Sequence, residues 1–442
     1  MSEQLRHDTI KTIKSQKIEF IHLWFTDVLG FLKSFMIDVE ELELAMSEGM
    51  GFDGSSIQGF ARIQESDMVA LPDPTTLQIL PWRQKGALVA TMFCDIKRPD
   101  GSLYEADPRY VLRRTIERAK SLGFDFYVGP ELEYYYLKSD HDPEVLDHAT
   151  YFDQTTRDLA IDLRKDTVRA LKRSGIQVEY SHHEVGPSQH EIDLRYCEAL
   201  KMADNVMTYR AVVKEIAQEN GVYATFMPKP LYGEAGSGMH VHQSLFKDGR
   251  NAFYDANDEH HLSATAKSYI AGLLYHARGI CAVTNQWVNS YKRLVSGYEA
   301  PVYICWAHRN RSALVRVPMY KPGKENATRV ELRSPDPACN PYLAFSVMLA
   351  AGLDGIERGL QLPPDVVDDV YEMSVEERAE RGIGQLPEDL AEAISAMESS
   401  ELIREALGEQ VFQWFLRNKR AEWNNYRTRV TPFELEQYLP LL

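Results

Sequence analysis

Residues 124–137 read FDFYVGPELEYYYL, and the alternation in that run decides the fold. Phe124, Phe126, Val128, Leu132, Tyr134 and Tyr136 share one parity, while Glu131 and Glu133 share the other. Successive side chains of a strand point to opposite faces, so residues i and i+2 stand about 7 Å apart on one side. The run therefore predicts a strand with one apolar face and two carboxylates aimed together from the other. Taken alone, such a pair is most simply a solvated outer face.

Three other segments repeat the pattern. Residues 176–196, IQVEYSHHEVGPSQHEIDLRY, read as two strands joined by the loop Gly186-Pro187-Ser188-Gln189, with Pro in second place. That places the turn centre between Pro187 and Ser188, so Glu184 and Glu191 are expected directly opposite one another. Facing like charges destabilise a ladder unless they are solvated or a cation lies between them. In GSGMHVHQS (236–244), His240 and His242 share a face against Met239 and Val241; in RVELR (329–333), Arg329, Glu331 and Arg333 oppose Val330 and Leu332. Singly, these read as polar surface and as a salt-bridged exposed strand.

Jointly they describe a site. Glu131, Glu133, Glu184, Glu191, Glu331 and His240 form an oxygen-rich ligand set that suits Mg²⁺ or Mn²⁺ far better than zinc. Arg293, Arg311, Arg316 and Arg333 supply the charge that phosphates and carboxylates require. Hard metals with several arginines point to phosphoryl transfer, where catalysis is mostly positioning and charge neutralisation. Neither a Walker lysine loop nor GxGxxG occurs, so neither familiar nucleotide fold is indicated.

Composition sets the outer limits. The 442 residues exceed what one core supports and imply two or more domains. Forty-nine basic against 65 acidic residues leave a formal charge of −16, which repels nucleic acid. Cys94, Cys197, Cys281, Cys305 and Cys339 are scattered without a CxxC, which excludes a thiolate zinc site and a dense disulfide framework and favours a reducing cytoplasm. The N-terminal MSEQLRHDTI is too polar for a secretory signal, and the longest apolar stretch, Pro341 to Leu353, is too short to span a bilayer, so no membrane partner is expected.

The first hundred residues are strand-rich, with IEFIHLWFTDVLGFLKSFMI and ALVATMFCDI flanking a Gly/Ser/Asp loop, 52–74. A boundary is expected near Asp107, where Asp107-Pro108 reads as a helix cap and first turn. Helical spacing recurs at 157–174, 198–219, 263–281 and 341–357, and the tail from Asp365 is helical in pattern. Strands between those helices predict a mixed sheet backed by helices.

The motifs FDGSSIQGF (52–60), GPELEYY (129–135), SHHEV and HEI (181–192), FMPKP (226–230), AGSGMHVHQSLF (235–246), NSYKRLVSGYEAP (289–301), NRSALVRVP (310–318) and RVELRSPDPACNPYLAF (329–345) together resemble the type I glutamine synthetases of the short bacterial and archaeal branch, along essentially the whole chain. The resemblance implies an α+β chain: an N-terminal β-grasp domain, 1–104, and a larger C-terminal catalytic domain, 105–442. It implies a homo-oligomer of two stacked hexameric rings with active sites shared between neighbours, and ATP, L-glutamate and ammonium as substrates. Carried over position by position, Glu133, Glu184 and Glu191 would hold one metal and Glu131, His240 and Glu331 a second. Glu179, His242, Gln243, Ser244, Arg311 and Arg316 match ATP-contacting positions. Ala235, Gly236, Arg293, Glu299, Arg311 and Arg333 match positions that hold glutamate or the phosphate in flight. Asp53 of an adjacent subunit would capture ammonium, with Ser56, Tyr151, Glu184 and Glu299 around it, and Glu299 would close over the site. Asp53, Glu299 and Arg311 would carry the catalysis.

Some positions depart from that pattern. Ala235 stands where Asn is usual, Thr150 where Gly is common and Ser296 where Pro is frequent. These leave room for a glutamate–polyamine or glutamate–ethanolamine ligase. Rivals outside the family's chemistry are a metal-dependent amidohydrolase, suggested by His240-x-His242, and a retired structural relative. Tyr371 lies near a position that longer relatives adenylylate and reads as an isolated exposed tyrosine. Arg62 matches an arginine implicated in feedback by glutamine.

Overall fold

The β-branched and aromatic run Ile18–Thr26 lies at the centre of the first sheet, antiparallel to Leu32–Asp38 on one side and parallel to Leu88–Lys97 on the other. A parallel pair needs a long crossover. Here the crossover carries the helix Leu42–Glu48 and the strands Met50–Asp53 and Asp67–Pro72, which complete that edge of the sheet. Ile21, Leu23, Ala90 and Met92 are fully buried in this pair. The computed structural model describes residues 3–57, 59, 66–82, 87–154, 156–297, 300–308, 310–319 and 323–442. Arg62 and Glu299 lie outside the described residues.

Pro108 opens a helix that runs to Ser121, and the Asp107 side chain caps it by accepting from Arg109 N. The chain then enters the strand Asp125–Leu137, the axis of the second sheet. Met239–Lys247 and Gln189–Leu194 flank that strand antiparallel; Val178–His183 lies beyond on one side, and Val330–Leu332, Val315–Val317 and Trp306–His308 on the other. The pairing of Trp306–His308 with Val315–Val317 is parallel, so the sheet is mixed.

Parity sorts this sheet as expected. Phe126, Val128, Leu132, Tyr134 and Tyr136 are buried. Behind them stand the helices Ala199–Glu219, Ala264–Thr284 and Pro341–Glu357. Tyr209 of the first donates to Leu132 O, and Tyr269 of the second to Gln243 Oε1. The second and third helices meet where a Cβ on Gly355 would stand 2.1 Å from Ser268 O, so glycine sets their approach. Asn340 caps Pro341–Glu357 and also donates to Asp27 O and Val28 O, tying the helix to the N-terminal sheet. Five further helices occupy Val375–Tyr438. Among the described residues no helix is long and apolar enough to cross a membrane.

One register differs from expectation. Glu184 N donates to Gln189 O and His182 pairs with Glu191, so the turn centre lies one residue earlier than the Pro187 position suggests. Ser188 adopts φ 58°, the left-handed conformation that the third residue of a Pro-containing type II turn demands. Asp147 holds it there: its Oδ1 accepts from Ser188 N, while Ser188 Oγ accepts from Leu146 N and Asp147 N. Glu184 consequently stands two residues beyond His182 on the same face, diagonal to Glu191 and not directly across from it.

Candidate active site

The polar face of the second sheet opens into a cavity of about 860 Å³, lined by Glu131, Glu133, Glu184, Glu191, His240 and Glu331 together. Strand pairing brings them there. His240 lies opposite Glu131, Glu133 opposite Glu191, and Glu331 beside both His242 and Arg316. The strand residues among them face the cavity because neighbours in sequence such as Leu132, Ile192, Val241 and Leu332 are buried in the core, and Glu184 follows just past the strand that ends at His183.

Two knots of ligand atoms form. In one, His242 Nε2 stands 2.8 Å from Glu131 Oε1, with Glu331 in the same group. His240 adjoins it, its Nδ1 at 3.4 Å from Glu131 and 3.9 Å from Glu331. In the other, His182 Nε2 lies 2.7 Å from Glu184 and 3.6 Å from Glu191. Glu133 borders the second knot and accepts from Gln189 Nε2 and Gly238 N.

The electrostatics of the two knots differ. Glu331 is fully buried, but Arg333 and the nearby imidazoles outweigh that burial and bring its carboxyl down to about 2. Arg316 donates to it at 2.7 Å, and Arg333 also pairs with it. The imidazoles likewise hold Glu131 well below the carboxylate range against its burial. By contrast, burial and the neighbouring Glu184 push Glu133 up to about 8. Burial, with Asp193 and the other glutamates, raises Glu191 strongly. Carboxyls in that condition hold protons that a divalent cation would displace. A set of carboxylate oxygens and imidazoles at this spacing fits hard divalent ions.

The remaining expected residues fall into three groups. Arg311, Arg316, Arg333 and Tyr151 line the cavity. An adjoining cleft of about 270 Å³ gathers Glu179, His242 and Ser244. Gln243 borders that cleft, yet its side chain points into the core, where its Oε1 accepts from Tyr269. Arg293 is buried beneath the cavity and donates to the carbonyls of Arg333, Ser334 and Pro335. A Cβ on Gly238 would stand 2.5 Å from Arg293 Nη2, so glycine admits the guanidinium there. Ala235 O accepts from Tyr135 OH, and Gly236 O from Gln189 Nε2. Asp53 and Ser56 lie in the N-terminal domain and do not line this chain's cavity; Asp53 accepts from Ser55 N and Oγ.

Tyr371 is not the exposed residue expected. It lines the cavity, half-buried, and its OH donates to Ala300 O. Sequence reading also passed over His182, Tyr180 and Asp193, and gave Arg329 a place on the polar face but no role. Those three share a parity with Glu184 or Glu191, which was the available signal. Arg329 orients His242 by donating to its Nδ1.

The family described as "Glutamine synthetase, catalytic domain" matches residues 105–438, and "Glutamine synthetase, beta-Grasp domain" matches 17–99. Glutamine synthetase of Mycolicibacterium smegmatis is 56% identical over 98% of each chain. That of Methanosarcina mazei is 51% identical over 99% of this chain and 98% of its own. Among solved structures, a GmaS/ADP complex superposes with a TM-score of 0.88 at 32% identity, covering 98% of this chain and 99% of that one. Plasmodium falciparum glutamine synthetase superposes with a TM-score of 0.89 at 25% identity, covering 99% of each.

Proposed function

The chain belongs to the glutamine synthetase family and is a glutamate–ammonia ligase; on that premise we propose how its own residues divide the work. The reading is that ATP phosphorylates the γ-carboxylate of L-glutamate and ammonia displaces the phosphate, giving L-glutamine, ADP and phosphate. The observation that carries it is the convergence of five glutamates and three histidines with Arg311, Arg316 and Arg333 on one cavity.

The family is divalent-metal dependent, and the assignment is Glu133, Glu184 and Glu191 for one Mg²⁺ or Mn²⁺, and Glu131, His240 and Glu331 for another. When bound, the ions supply charge neutralisation to the transferring phosphoryl group. His182 and His242 support the two knots by orienting Glu184 and Glu131. Arg316 and Arg333, fixed by Glu331, present donors to the phosphate oxygens. Arg311 sits beside Tyr151 at the side assigned to the acceptor amine. Glu179, His242, Ser244 and the main chain of Gln243 form the nucleotide side, and Ala235, Gly236 and Arg293 hold the glutamate loop.

Asp53 would act in a neighbouring copy: it collects ammonium with Ser56, Tyr151, Glu184 and Glu299 and lowers the cost of deprotonating it. Glu299 closes the site and keeps water from the acyl phosphate. This division requires a ring assembly, assigned as two stacked hexamers, and a domain boundary between Tyr104 and Glu105. Five free cysteines fit a cytoplasmic setting.

The test is ADP release against a panel of amines. Ammonium is expected to give the fastest turnover and glutamine as product; far faster release with putrescine or ethanolamine would overturn the acceptor assignment. ATP-independent amide hydrolysis would point instead to the amidohydrolase.

A further inference from the structure

A second cavity, of about 720 Å³, lies where the N-terminal domain meets the catalytic domain, outside the acidic face. Its walls are aromatic: Phe31 from the first domain packs at 5.9 Å from Trp287 of the second, with Phe226 and Tyr426 completing the enclosure. Cavities of this size at domain junctions are where small organic molecules most often bind.

Its charge is the reverse of the chain's. Arg210 is buried at the cavity wall, and its guanidinium meets only Cys339 O and Met207 Sδ, leaving Nε with no acceptor. Among the described residues no carboxylate hydrogen-bonds to Arg210 or to Lys214, one helical turn further on, although Asp336 attracts Arg210 from a distance. Two like charges at that spacing repel one another. Lys292 stands at the mouth, bound to Tyr426 OH. The one carboxylate in the lining, Glu422, is already engaged by Lys419 Nζ and Val288 N. A buried guanidinium with an unmet donor is costly unless an anion completes it.

We propose that this cavity binds a small organic anion with a planar apolar body and one acidic group, the acid on Arg210 and Lys214 and the body among Phe31, Phe226, Trp287 and Tyr426. Occupancy would reach the catalytic face through its wall. Pro228 O accepts from Ser237 N, and the Asn289 side chain clasps both N and O of Lys229. This consequence, unlike the binding itself, rests on the assignment of Ala235 and Gly236 to glutamate.

The probe is 8-anilinonaphthalene-1-sulfonate, titrated into the full-length assembly by fluorescence beside its neutral analogue, N-phenyl-1-naphthylamine. One saturable site per chain is expected, with the neutral analogue and Arg210→Met each weakening binding at least about tenfold. Ala211→Trp, which fills the cavity from its lining, is expected to abolish the site while the protein still turns over. Saturating probe is expected to change KM for glutamate about threefold in the unmodified protein but not in Ala211→Trp. Equal binding of the neutral analogue, or full binding by Ala211→Trp, would overturn the site. So would binding that appears only after residues 430–442 are deleted, since a second copy's tail would then be the occupant. An unchanged KM with the site filled would overturn the transmission alone.

Discussion

Two groups of buried acids in this chain have opposite fates. Around Arg109, at the junction of the two domains, Asp73, Asp95 and Asp204 are gathered by one guanidinium. It donates to Asp204 through Nε and Nη2, to Asp73 at 2.8 Å and to Asp95 through Nη1. Tyr342 and Arg113 complete the shell. On the polar face of the catalytic sheet, burial raises Glu133 and Glu191, and the neighbouring carboxylates add to the rise. The first cluster is closed by its own cation and fastens the domains. The second is short of positive charge and calls for cations from solution. Acid content alone distinguishes nothing; the balance of partners does.

Substitutions should separate the clusters sharply. Glu191→Gln is expected to reduce kcat at least about 100-fold and to weaken divalent-ion binding, with little change in unfolding temperature. Arg109→Met is expected to cost about 3–5 kcal/mol of stability, because it strands buried carboxylates, while folded molecules keep their metal affinity. Calorimetry of each variant with and without Mn²⁺ checks both; loss of metal from Arg109→Met would erase the distinction.

Asp53→Ala comes next in size. Amide formation should fall at least about tenfold, while metal binding and glutamate-dependent ADP release stay near normal. Loss of bound metal in that variant would contradict the role in a neighbouring copy.

The smallest effect concerns pH. A carboxyl raised to about 8 is protonated at pH 7 in the metal-free protein and must release that proton when a cation binds. Metal affinity should therefore fall by roughly fivefold between pH 8 and pH 7, and proton release should appear in titrations run in buffers of different ionisation enthalpy. Affinity that is flat from pH 6 to 8 would mean that Glu133 is already ionised.

Much of this was legible in the sequence, for a definite reason. A strand's two-residue period is rigid, so Glu131 with Glu133 and His240 with His242 had to share faces once strands were assigned. The caps at Asp107-Pro108 and Asn340-Pro341 were equally plain. What escaped depended on geometry without a sequence period. The left-handed turn at Ser188 shifted the Glu184 register, because Asp147, forty-one residues away, fixes it. Gln243 shows the opposite case: the resemblance placed it at the nucleotide, while parity with Val241 already turned its side chain to the core and left only its main chain at the cleft. His182 was missed although the same parity links it to Glu184. Arg293 shows how a residue can sit close to a site with its guanidinium committed to main-chain carbonyls.

The most direct measurement is anomalous diffraction from crystals grown with Mn²⁺ and an ATP analogue. Two peaks per chain are expected, one among Glu133, Glu184 and Glu191 and the other among Glu131, His240 and Glu331. Manganese bound only elsewhere, or an acidic face without a peak at saturating Mn²⁺, would contradict the account.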